Sequence, residues 1–112
     1  MRAMKIDNIP YQVVDWASMP ADRHAGASGE ATWRTLEQGG IRVRMVEYSA
    51  GYEANHWCAK GHIVLVLEGE LITELQDGRV KTTRAGQSYV VADDTAAHRS
   101  HTHTGVKMFI VD

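Results

Sequence analysis

The sequence is poor in the residues that build several other classes of protein. It holds one cysteine, Cys58, so no disulfide can close within the chain, and a small disulfide-stapled secreted scaffold is excluded. Two prolines, with no internal repeat or low-complexity segment, exclude fibrous and disordered chains. There is no run of like charges, and 12 basic against 14 acidic residues leave a net charge of -2. That balance is a poor footprint for nucleic acid or an anionic membrane surface, and neither is expected as a partner. The longest purely apolar run, Ile63 to Leu67, is far too short to span a bilayer. The opening Met1-Arg2-Ala3-Met4-Lys5-Ile6-Asp7 lacks the apolar stretch of a secretory signal, and with the lone thiol this gives a cytoplasmic expectation. Helix signals are missing too, since no window sustains an i, i+3, i+4, i+7 apolar stripe.

What the chain does have is β-strand material. At 112 residues, 44% of them hydrophobic and 23% charged, it is long enough to bury a core as one domain over residues 1–112. Ala31 to Glu37 and Ile41 to Tyr48 flank Gln38-Gly39-Gly40 and predict a hairpin. In the second arm of that hairpin Ile41, Val43 and Met45 point one way, and Arg42 and Arg44 the other. Tyr52 to Cys58 predicts a third strand. The run His62 to Leu67 is too apolar for simple alternation and predicts burial on both faces. Leu71 to Gln76 and Arg79 to Thr83 flank Asp77-Gly78, which favours a type I′ turn. Gln87 to Ala92, Ala96 to Thr104 and Val106 to Val111 supply the last strands. Roughly eight short strands at such spacing give an all-β sandwich or barrel. Residues 1–30 carry few periodic signals, yet Tyr11, Val13, Val14, Trp16 and Met19 are too apolar for a solvated tail. They predict an N-terminal arm packed on the barrel or on a second subunit.

Five of the six histidines fall between residues 56 and 103, with the one cysteine among them. On a regular strand His56 and Cys58 share a face, with Trp57 opposite. A tight turn at Lys60-Gly61 folds His62 back beside them, and His98 arrives from a strand late in the chain. Imidazole and thiolate suit zinc, copper, nickel or iron rather than calcium or magnesium. Cys58 also fits as a small buried hydrophobe. His101 and His103 lie opposite His98 on a regular strand, and His24 sits in a Gly/Ala-rich surface loop. Trp16, Trp33 and Trp57 are expected to pack. Tyr48, Tyr52, Tyr89 and Arg99 are candidates for the pocket wall, Asp93-Asp94 for a turn, and Glu68 and Glu70 for solvated positions flanking a turn at Gly69.

The string Gly51-x4-His56-x-Cys58-x3-His62-x6-Gly69 resembles the first motif of the cupins, which have a double-stranded β-helix (jelly-roll) fold. Cysteine stands where that motif has its second histidine, and histidine where it has glutamate. Over residues 86–102 a looser second motif follows, with Gly86 opening it, His98 as its histidine and Thr102 in the asparagine position. Asn55-His56-Trp57-Cys58, Lys60-Gly61-His62, Leu67-Glu68-Gly69-Glu70-Leu71 and Phe109-Ile110-Val111-Asp112 narrow the likeness to small single-domain bacterial cupins of the DHCW-motif type. The resemblance implies His56, Cys58, His62 and His98 as ligands of a divalent transition metal. Zinc leads by ligand softness, with iron, nickel or copper as the other choices. It further implies a small-molecule ligand in the barrel and a homodimer. Two functions follow as expectations. One is a metal-dependent enzyme, dioxygenase- or isomerase-like. The other is a non-catalytic binder or sensor, with a structural metal or none.

Overall fold

Gly39 and Gly40 both take positive φ, 58° and 78°. They form the two-residue turn whose twist suits a hairpin. The turn joins β2 (Glu30–Gln38) to β3 (Ile41–Tyr48), paired residue for residue from Gln38 with Ile41 to Ala31 with Tyr48. A computed structural model describes residues 5–112. The part of the arm at residues 1–4 lies outside the described residues. Six further strands complete the barrel: β1 (Asp22–Ala25), β4 (His62–Leu75), β5 (Val80–Arg84), β6 (Ser88–Val91), β7 (His98–His101) and β8 (Val106–Val111). All pairings are antiparallel, and the spatial order is β1-β2-β3-β8-β4-β5, with β6 and β7 also on β4. This is a jelly-roll barrel. Its core is Val46, Val64, Val66, Leu71, Val106, Met108 and Ile110, with Trp33, Tyr48 and Tyr89 packed against it.

Strand β4 organises the whole molecule. Its first half pairs with β6 and β8, and its second half with β5 and β7. The sequence suggests two strands broken by a turn at Gly69. The structure instead runs straight through, with a register shift between Val66 and Glu68. Gly69 sits at φ 80°, and a Cβ there would lie 2.1 Å from the Gly105 carbonyl oxygen, so only glycine lets the backbones close at this bend. The Asp77-Gly78 hairpin also differs. Only Gly78 has positive φ, Gly78 N–H donates to Leu75 O and Leu75 N–H to Arg79 O. The turn is therefore a three-residue type I loop with a glycine bulge, not type I′.

Two departures shape the interior. Tyr52 to Cys58 is a loop rather than a strand. Ala54 N–H donates to Ser100 O, while Cys58 and His98 exchange both backbone bonds. Asn55, His56 and Trp57 thus stand against Arg99 alone, an insertion of two residues that breaks the face alternation. The β3 alternation is real but inverted relative to a simple apolar-in reading. Arg44 and Val46 are buried, while Ile41, Val43 and Met45 are half-buried on the outer face.

The arm packs on that outer face. A short 3-10 turn, Trp16–Ser18, is capped by Asp15, whose carboxylate accepts from Ala17 N–H. Trp16 meets Phe109 edge-on at 6.3 Å, and Arg34 Nη1 donates to the Trp16 carbonyl at 3.1 Å. The arm then becomes edge strand β1, which the sequence did not signal.

Candidate metal centre

Cys58 reaches the interior from the loop, His62 from the first residue of β4, and His98 from the first residue of β7. Their ligand atoms lie within 4.8 Å of one another. Cys58 Sγ and His62 Nε2 are 3.6 Å apart, and the His62 and His98 ring centroids are 5.2 Å apart at 81°. Around a tetrahedral ion with bonds of about 2.0–2.3 Å, donor atoms stand roughly 3.3–3.8 Å from each other. Cys58 and His62 already stand at that spacing, and all three donors lie within about 1 Å of it.

Tautomers follow from the partners. His98 Nδ1–H donates to the Ala96 carbonyl at 2.9 Å, a group that only accepts. In the neutral ring the lone pair is then on Nε2. That atom is buried without a hydrogen-bond partner, in a residue only 4% exposed. A buried polar atom left orphaned is costly, and a metal ion is one group that would use it. His62 Nδ1–H donates to Asp112 Oδ2 at 2.8 Å. Burial lowers the His62 pKa, against the opposing pull of that carboxylate, so its ring is neutral near pH 7 and Nε2 faces the Cys58 sulfur with its lone pair. Both imidazoles thus turn unprotonated Nε2 atoms inward, each oriented by a hydrogen bond from Nδ1.

His56 is placed differently. The two-residue insertion carries it to the rim of the same cavity, exposed, with Nδ1 2.8 Å from Asn55 Oδ1. It stands outside the group of three. Of the four residues named from sequence, three converge and His56 does not.

Behind His62 lies a network that sequence reasoning missed. The Asp112 side chain is fully buried and takes Arg42 through both oxygens, at 2.9 and 3.1 Å, and Arg44 at 2.9 Å. Although burial alone would raise its pKa, the hydrogen bonds and charges of the two arginines bring it down to about 2. The alternation of Arg42 and Arg44 along β3 is the one sequence signal for this network. Asp112 enters the sequence reading only as the last residue of a family string, with no role attached.

The cavity enclosed by these side chains has a volume of about 170 Å³. Tyr48, Tyr52, Tyr89 and Arg99, named as pocket candidates, all line it. Burial pushes the Tyr89 phenol up to about 12 and raises that of Tyr48 as well, so both remain O–H donors. Arg99 sits 4.4 Å over the Trp57 ring and pairs with Glu74 at 2.8 Å. His24 is in strand β1 rather than a loop and stacks on Trp33 at 4.1 Å. His101 and His103 pack on each other at 5.5 Å, away from the cavity lining.

No family model and no curated protein matches the sequence. Solved structures do. A predicted oxalate decarboxylase from Thermotoga maritima superposes with TM-score 0.75 at 17% identity, over 89% of this chain and 96% of that one. An RmlC-like cupin from Shewanella frigidimarina gives TM-score 0.74 at 18% identity, over 91% and 89%. The chain has the cupin fold. A third cupin-like match, Fe(II)-HppE with an alternative substrate, gives TM-score 0.73 at 14% identity, over 91% of this chain and 60% of that one. On the cupin barrel, the Cys58, His62 and His98 cluster lies inside, where the strands enclose the cavity. Among the described residues no helix is long and apolar enough to cross a membrane.

Proposed function

We propose that this cupin binds a divalent transition metal through Cys58, His62 and His98 and acts on a small molecule admitted to the barrel. The buried, unpartnered Nε2 of His98, grouped with the Cys58 sulfur and His62 Nε2, carries the reading. His56, on the rim, is the fourth candidate ligand. Thiolate and imidazole put zinc first, with iron, nickel or copper as the other ions this donor set accepts. A metal held here supplies a Lewis acid, or with iron a centre for oxygen chemistry. The remaining work falls to the chain. Asp112 and the Ala96 carbonyl orient the two rings, Tyr48 and Tyr89 offer hydroxyl protons to a bound ligand, and the apolar wall of Leu71, Met108 and Ile110 excludes water. A reduced thiol at Cys58 fits a cytoplasmic location.

Elemental analysis of protein purified without added metal or an affinity tag is expected to give close to one transition metal per chain. Protein that carries none and takes up none afterwards would refute the reading and leave a metal-free ligand binder. If His56 joins the other three, a saturated tetrahedral site results, and the non-catalytic binder replaces the enzyme.

We further propose a homodimer. The outer face of β4 and β6 leaves Ile63, Leu65, Leu67 and Val90 exposed, the last at 72%, where sequence reading predicts burial on both faces. The arm leaves Tyr11 and Val13 at 97% and 83%. Two uncovered apolar surfaces on one chain match the self-complementary interface of a two-fold dimer. Sedimentation velocity is expected to give twice the chain mass, which Leu65→Glu with Val90→Glu reduces to one. A wild-type monomer at high concentration would exclude the dimer.

A further inference from the structure

The cavity wall has a charge imbalance that metal binding alone does not use. Arg44 is 5% exposed and lines the cavity. Its hydrogen bond runs from Nη2 to Asp112, and its Nε is buried with no acceptor at all. The guanidinium has five N–H donors, so most of its capacity is unspent. Asp112 is shared with Arg42, which leaves two guanidiniums against one carboxylate. Among the described residues no acidic side chain lines the cavity; its polar groups are arginines, histidines, tyrosines, a serine and Cys58. Trp33 holds the guanidinium plane at 4.3 Å, which fixes its donors in place.

We propose that the cavity holds a small organic carboxylate, its anionic end against the Arg44 guanidinium and its body toward Cys58, His62 and His98. A guanidinium with donors to spare matches a carboxylate in shape and charge. The volume of about 170 Å³ limits the guest, since it equals roughly five or six water molecules at their liquid volume of about 30 Å³ each. The part of the acid held inside is therefore compact. The protonated Tyr48 and Tyr89 hydroxyls add donors on the same wall. The assignment rests on reading this cavity as the ligand chamber of the proposed function, but it does not need the metal to be present.

Ligand-observed NMR with acetate and its neutral isostere acetamide tests it, on protein as purified and on the same protein after chelation, with metal content and folding checked in both. Acetate is expected to bind at least about tenfold more tightly than acetamide in both samples. Arg44→Gln is expected to erase that preference. Should that variant fail to fold, the wild-type comparison still decides. Equal binding of the two probes, binding of neither, or an acetate preference seen only with metal loaded would overturn the proposal, the last by placing the anion on the ion. Protein that carries no metal as purified, takes none up afterwards and still prefers acetate would sink the metal reading and leave this one standing.

Discussion

His98→Ala protein is expected to bind metal at least about a hundredfold more weakly than the wild type, and to leave purification with little or none. The substitution removes the one donor that has no other use. His98 Nε2 has no hydrogen-bond partner, and its ring is locked by Ala96. Losing a residue that merely orients a ligand typically costs about 10–100-fold in affinity, so losing a ligand should exceed that range. His62→Ala should behave alike. His56→Ala, in contrast, is expected to keep stoichiometric metal with reduced affinity, since its side chain stands on the rim and is held by Asn55. Equilibrium competition with a chelator measures all three. Equal losses for His56 and His98 would mean that the rim loop closes and that four ligands act together.

Asp112→Ala should have the largest effect on stability. The variant leaves Arg44 buried with no counter-charge and Arg42 without its bidentate partner. Breaking one side of a buried ion pair costs about 3–5 kcal/mol, which in a chain of this size lowers Tm by on the order of 15 °C. The pair as a whole need not be stabilising, so Arg44→Met with Asp112→Leu is expected to recover most of the loss. The sign of the pH dependence follows from the lowered folded-state pKa. Asp112 titrates near 4 in the unfolded chain and at about 2 in the folded one, so its contribution is complete above the first value. That contribution fades as pH falls through the second. Acid melts monitored by circular dichroism should show this loss for the wild type and not for the double variant. An Asp112→Ala protein as stable as the wild type would show that the network is not structural.

Fold class and most strands were legible because burial on a jelly roll imposes period-2 alternation, and glycine marks the turns. The β2–β3 hairpin was visible for this reason, although Gln38 belongs to the strand and leaves Gly39-Gly40 as the turn. Long-range backbone pairing was not. The continuity of β4 through Gly69 depends on the close approach of Gly105, some 36 positions away in the chain, which no local window contains. The same limit applies at the site. Cys58, His62 and His98 could be grouped by residue type and motif spacing, whereas the place of His56 on the rim hinges on a two-residue insertion opposite Arg99. Alternation assumes regular pairing, and the pairing partner fixes where it fails. The role of Asp112 was invisible because it is set by two arginines on a neighbouring strand, and an arginine-in, apolar-out strand runs against the usual order of burial. The exposed Ile63, Leu65 and Leu67 follow the same lesson in reverse. A two-sided apolar strand need not be covered within its own chain.

Cobalt substitution is the most direct measure of the convergence of one sulfur and two imidazoles on a single ion. Cobalt-loaded wild type is expected to show an intense near-ultraviolet thiolate-to-cobalt band that vanishes in Cys58→Ser, with visible bands that collapse in His98→Ala. A spectrum free of the thiolate band, or one unchanged by either substitution, would contradict the account.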